Sequence, residues 1–375
     1  MVIPAGFAKI SIMAARTGTT ALRRGWTTGA CATGSARAAF TALVTGHFPD
    51  PISIRLPRAG SATFSLALAE RGENSARAGI FKDAGDDPDV THGALVVAEI
   101  AWAAEGCGIA FAAGSGVGTV TRPGLSLTVG EPAINPAPRA MIRDALVGVA
   151  AENGLPTPDV TVTISIHGGE RLAERTMNAR LGIVGGLSIL GTTGVVIPYS
   201  CASWIHSIHR GIDVARAAGL KHVAAATGKT SERAVQRLYE LPDHALIDMG
   251  DFVGGTLKYL RSHPIERVTI AGGFAKLAKL AGGHFDLHSA RSQVDVLALA
   301  GMLAETGASE TLVRAAKKAG SAAEMLAIAG DKADGLACLV AGRAREAVLA
   351  TLSGKTAIEV AIVDHQGDFL ARVGG

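Results

Sequence analysis

The sequence predicts an α+β domain over residues 20–180, followed over 181–375 by an α/β Rossmann-like domain with extra C-terminal helices. Three observations lead there. At 375 residues the chain exceeds the size at which a single hydrophobic core stops growing. Its first half is dominated by period-two alternation, the pattern of strands with one buried face. Its second half replaces alternation with short continuous apolar runs ending in glycine-bearing loops, as parallel strands buried on both faces do.

The elements follow in order. Met13, with the ordinary polar run Ala14-Ala15-Arg16-Thr17-Gly18 behind it, reads as an alternative start, so residues 1–12 stay outside the fold. Arg23 to Ser35 is dense in Gly, Thr and Ser and runs into an alanine-rich helix from Ala36. Small residues at such a start either let backbone amides meet an anion or simply cap the helix. Ile52, Ile54 and Leu56, then Phe64, Leu66 and Leu68, mark half-buried strands, while Ala94 to Ala104 fits strand or helix. Asn135-Pro136 opens a helix through Met141 to Val149. Val160, Val162, Ile164 and Ile166 form one face of a strand against Thr161, Thr163 and Ser165. Val223–Ala226, Ala245–Ile247 and Val268–Ala271 read as buried parallel strands whose following loops sit where doubly wound sheets bind ligands. Helices are expected at Val294–Ala304, Thr311–Lys318 and Leu336–Thr351, and an alternating strand at Ile358, Val360 and Ile362 closes the chain.

Composition narrows the function. Hydrophobic residues at 48% and charged residues at 18% describe a globular protein rather than a disordered one. The net charge of +3 is small and its Lys and Arg are dispersed, which argues against a nucleic-acid surface. No apolar run approaches the ~20 residues that span a bilayer, and no secretory cleavage pattern opens the chain. Cys31, Cys107, Cys201 and Cys338 are far apart, against a zinc site or disulfide framework and in keeping with a reducing cytoplasm.

Chemistry concentrates in a few segments. Lys82 to Gly93 packs Lys82, Asp83, Asp86, Asp87, Asp89 and His92 into twelve residues between apolar runs. It reads as a site, with a turn whose Asp side chains cap backbone amides as the alternative. Gly114 to Thr119 has the wrong spacing for a dinucleotide loop, and Thr227-Gly228-Lys229-Thr230-Ser231 lacks a phosphate loop's upstream glycine because position 223 is Val. Gly191, Thr192, Thr193 and Gly194, with Asp248, Gly250 and Asp251, form small-residue loops; a strand-end carboxylate followed by Gly suits ribose hydroxyls. His284 and His288 have the spacing of helical metal ligands, but Gly-Gly before them and Asp between them argue for a loop, and no metal site is assigned. His206 and His209 are expected on a helix surface.

Taken in order, these segments resemble the CbiD family of cobalamin biosynthesis. The resemblance rests on Arg24-Gly25-Trp26-Thr27-Thr28-Gly29, Lys82 to Gly93, Gly116 to Leu125, Ala133 to Arg139, Leu190 to Gly194, Gly250 to Gly254, and Lys276 to Lys279 with His288-Ser289. It covers about residues 22 to 290. It implies methylation of ring carbon C-1 of a cobalt-bearing, carboxylate-rich tetrapyrrole with S-adenosyl-L-methionine as donor. On that footing Arg24, Thr27, Thr28, Lys82, Asp86, Asp87, Arg122, Arg139, Lys276, Lys279 and His288 are expected to bind substrate, and His92 and Asp83 to order it or assist proton movement. Gly191 to Gly194 with Asp248, Gly250 and Asp251 are expected to hold the donor. A noncatalytic tetrapyrrole carrier and a nicotinamide-dependent oxidoreductase are the rival classes, and a homo-oligomer stays open.

Overall fold

The computed structural model describes residues 21–58, 60–352, 354 and 356–374, so the reading of Met13 lies outside the described residues. The chain is mixed α/β, built around two five-stranded sheets.

The first sheet runs Leu68–Arg71, Ser75–Phe81, Leu95–Trp102, Val160–Ile166, Ile109–Ala113; only the last pairing is parallel. Ala94 to Ala104 thus resolves as strand. The alternation at 160–166 appears as strict in-out burial. Helix Thr28–Thr45 packs on this sheet and against helix Pro136–Glu152, which opens at Asn135 as its sequence demands. The first helix begins eight residues before Ala36, with Thr27 Oγ1 accepting from Ala30 N at 3.1 Å. The small residues read as a pre-helix loop are helical: a Cβ on Gly34 would come within 2.7 Å of Ile80 Cδ1, so they allow close packing.

Short ladders then draw later chain into this half. Ile183–Val184 pairs with Thr119–Val120, Gly186–Leu187 with Gly116–Val117, and Val195–Val196 with Gly25–Trp26.

The second sheet runs Leu246–Asp248, His222–Ala226, Arg267–Gly273, Ala357–Val363, Phe369–Val373. The first four strands are parallel and the last antiparallel, a 2-1-3-4-5 order whose switch point lies between the first and third strands in sequence. Val223 and Ala225 face the main core with helices Cys201–Ala217 and Ala333–Thr351, while Ala224 and Ala226 face Val235 of helix Lys229–Tyr239. Burial on both faces explains why these strands read as unbroken apolar runs. One expectation is corrected here. The strand at 358–362 is buried continuously rather than alternately, and it does not close the chain, because Phe369–Val373 pairs beyond it as the edge.

Candidate functional site

The acidic loop is a latch with a single outward ring. Lys82, 2% exposed, donates from Nζ to Asp89 Oδ2 at 2.7 Å. Burial alone would raise the Asp89 carboxyl, but the Lys82 charge and the Thr91 amide and hydroxyl hold it below its usual value. The Arg23 guanidinium pairs with Asp83 and, with the Gly85 N–H, draws that carboxyl down to about 2. Asp86 Oδ2 accepts from Arg23 N at 2.6 Å while Asp86 N donates to Arg23 O at 3.0 Å. Asp87 Oδ1 accepts from Tyr199 N at 2.8 Å. His92 Nδ1 accepts from Ala84 N at 3.1 Å, so the neutral ring carries its proton on Nε2, and its side chain stays 55% exposed. Beside the latch, the exposed Arg24 guanidinium has no hydrogen-bond or ion-pair partner among the described residues.

Most other basic candidates are engaged inside the protein. Arg139 donates to Ile134 O, Glu131 Oε1 and Pro132 O. Lys279, 9% exposed, donates to Leu287 O at 2.9 Å, and burial lowers its pKa. Arg122 reaches Arg180 O at 3.5 Å, and His288 Nδ1 accepts from Ala290 N at 3.2 Å. Lys276 pairs with Asp251, and burial lowers its pKa. Among the described residues no three His, Cys, Asp or Glu are grouped to hold a metal. Burial pushes the Cys31 thiol up to about 12, removing it as a nucleophile.

The two small-residue loops differ in what they touch. Gly191 and Gly194 lie against Thr27 and Leu56, where a Cβ would come within 2.3 Å and 2.5 Å of those side chains. Thr27 N donates to Gly194 O, and Thr28 Oγ1 accepts from Leu190 N. Thr27 and Thr28 are therefore buried staples between this loop and the first helix. Asp248, in contrast, ends a parallel strand beside Ala226. Burial, then the neighbouring Glu232 carboxylate, raises its pKa, opposed by Arg180 and Lys229. Trp204 Nε1 donates to Asp248 O, and the Trp204 ring lies 3.4 Å from the Cβ position of Gly250.

Sequence reasoning passed over two exposed rings. Tyr199 is 52% exposed in a left-handed conformation, φ 56°, which a bulky residue rarely adopts. Trp204 is 41% exposed. A cleft of about 400 Å³ opens at the carboxyl ends of the second sheet's strands, lined by Thr227–Ser231, Gly273–Lys276 and Val363–His365. It lies at the end of the sheet where the sequence places the loops that follow Val223–Ala226 and Val268–Ala271.

The CbiD family matches residues 15–198, and the CbiD C-terminal domain matches residues 286–374. The cobalt-precorrin-5B C(1)-methyltransferase of Brucella anthropi is 57% identical over 353 residues, covering 94% of this chain and 96% of that protein. That of Paramagnetospirillum magneticum is 58% identical over 348 residues, covering 92% and 97%. A crystal structure of a cobalamin biosynthesis protein (cbiD) from Archaeoglobus fulgidus matches at 27% identity and a TM-score of 0.39, covering 72% of this chain and 83% of that one. With relatives more than half identical almost end to end, and family matches at both ends, this chain belongs to the CbiD family.

Proposed function

We propose that this chain transfers a methyl group from S-adenosyl-L-methionine to C-1 of cobalt-precorrin-5B, giving cobalt-precorrin-6A, in cobalamin biosynthesis. The observation that carries the reading is the 57% identity to a protein of that name over 94% of the chain. The carrier and oxidoreductase readings are set aside on the same ground. Incubating the purified protein with methyl-labelled donor and cobalt-precorrin-5B tests it: label at C-1 is expected, and a folded protein that leaves the substrate unmethylated overturns it.

When bound, the donor supplies a sulfonium-activated methyl group. Displacement at such a carbon asks the protein for alignment and exclusion of water rather than for a nucleophile of its own. The second half, read as Rossmann-like, offers a half-buried strand-end carboxyl, Asp248, with Gly250 and Asp251 after it, and that donor set suits ribose hydroxyls. The pairing of residues 183–196 with strands of the first half supports reading the domain boundary near Tyr199 in place of the expected 181.

For the substrate, the unpartnered Arg24 meets a carboxylate, and the exposed rings of Tyr199 and Trp204 meet the flat face of the macrocycle. His92 presents Nε2–H to a substrate acceptor. Asp83, ionised down to about pH 2, holds Arg23 and the loop rather than exchanging protons.

A further inference from the structure

We infer that the cleft at the switch point of the second sheet is the S-adenosyl-L-methionine site, with Gly228 and Gly273 keeping it open and Asp248 accepting from the ribose hydroxyls. The inference rests on the methyltransferase reading above and goes beyond it by fixing where the donor lies.

Topology gives the first argument. In an open parallel sheet the crevice forms where neighbouring strands send their following loops in opposite directions. Here that is between His222–Ala226 and Arg267–Gly273, which pair directly. The turns after those two strands and the helix starts that follow them, Thr227–Ser231 and Gly273–Lys276, are two walls of the 400 Å³ cleft. The loop after Ala357–Val363 is the third. A volume of that order fits a nucleoside-sized ligand.

The glycines give the second. A Cβ on Gly228 would meet nothing within 4 Å, and one on Gly273 nothing nearer than Val363 O at 4.0 Å. Neither residue lies in the left-handed region: Gly228 is extended at φ 178° and Gly273 is at φ −71°. Packing and backbone conformation therefore place no demand for glycine at either position. Room in the cleft is the demand that remains. Gly191 and Gly194 show the opposite case, where a Cβ collides with Thr27 or Leu56.

The third argument is the acid. Strand register sets Asp248 beside Ala226, one residue before the cleft-lining Thr227. Asp248 also follows Gly228 by 248 − 228 = 20 residues, the interval at which nucleoside-binding βαβ units place the carboxylate that holds the ribose.

The same turn excludes a nucleotide triphosphate. Position 223 is Val, buried in the core, and the Ser231 hydroxyl donates back to Gly228 O at 2.9 Å. A phosphate loop would need a glycine at the first and would give the second to magnesium. S-adenosyl-L-methionine has no phosphate and needs neither. Phe274, Val363 and Leu326 supply apolar wall for its adenine.

The test is calorimetric titration of S-adenosylhomocysteine into the full-length protein and into Gly228→Val, Gly273→Val and Asp248→Asn, with thermal midpoints recorded for each. The two valines enter open space, so their midpoints are expected within about 2 °C of the parent. Affinity is expected to fall more than tenfold in each valine variant and about tenfold in Asp248→Asn. Parent binding retained within twofold by both valine variants overturns this placement and leaves the methyltransferase reading standing. Absence of binding to the parent, alone and with a cobalt-corrinoid precursor present, overturns that reading and the placement with it.

Discussion

Asp83 and His92 share one loop, and its hydrogen bonds give them different chemistry. Asp83 is fixed as an anion by Arg23, whereas His92 uses Nδ1 inside the loop and leaves Nε2 outside. His92→Ala is expected to lower kcat by more than tenfold with little change in folding; turnover within about threefold of the parent would withdraw the role. Asp83→Asn is expected to weaken the seat of Arg23 instead, raising KM more than it lowers kcat. Arg24→Gln removes an exposed cation with no internal partner, so stability should stay within about 0.5 kcal/mol while KM for the tetrapyrrole rises about tenfold. Residue types alone marked the loop as unusual. They did not reveal that Asp83, Asp86 and Asp87 each hold another part of the protein, because their partners, Arg23 and Tyr199, lie 60 to 112 positions away in sequence. For the same reason the backbone carbonyl partners of Arg139 and Lys279 are not legible from residue type.

Among the elements, the second sheet carries a buried charge that its pattern of hydrophobic residues hides. Glu359, 1% exposed in the middle of strand Ala357–Val363, accepts from Tyr239, Thr269, Arg267 and Arg372. Burial alone would raise its pKa, but these donors bring it below the usual value. A carboxyl lowered in this way contributes stability that is present above its unfolded value of about 4.3 and is lost as pH falls through the folded one. His222, whose pKa burial lowers, adds a loss that begins as pH drops below about 6.5. Glu359→Gln should cost about 2 kcal/mol at neutral pH, reduced from a fully buried pair because Arg372 is 40% exposed. The acid side of its stability curve should flatten below about pH 4.3, and an unchanged acid limb in denaturant titrations would refute the assignment. This strand also shows where pattern reading ran out. Ile358, Val360 and Ile362 alternate with Glu359 and Ala361, which mimics a half-exposed strand, yet Glu359 is buried because four side chains satisfy it. The parallel strands before it were legible for the opposite reason, since burial on both faces leaves only apolar residues in the sequence.

At the scale of the whole molecule, the two halves are held by contacts that no local pattern encodes. Arg180 forks onto Glu232 with distances of 2.7 and 2.6 Å, and Glu232 is 6% exposed. Gly124 comes so close to helix Cys201–Ala217 that a Cβ would sit 2.6 Å from Val214 Cα. Arg180→Ala leaves a buried carboxylate unpaired and should cost about 2–3 kcal/mol; adding Glu232→Gln should restore part of it, and additive losses in that double-mutant cycle would show the pair to be uncoupled. The change in periodicity between the two five-stranded sheets is visible in the sequence, but the return of residues 183–196 towards the first sheet is not, because those ladders are only two residues long. The latch between Arg23 and the acidic loop has one more effect. Its ion pair is 58% and 43% exposed, so dissolved electrolyte screens it, as it would screen the attraction proposed for Arg24 towards a carboxylate-rich ligand. Ionic strength thus acts twice at one place, loosening the arm that carries Arg24 while shortening the reach of its charge. Substrate affinity should therefore fall more steeply with added salt than a single cation on a rigid surface would allow.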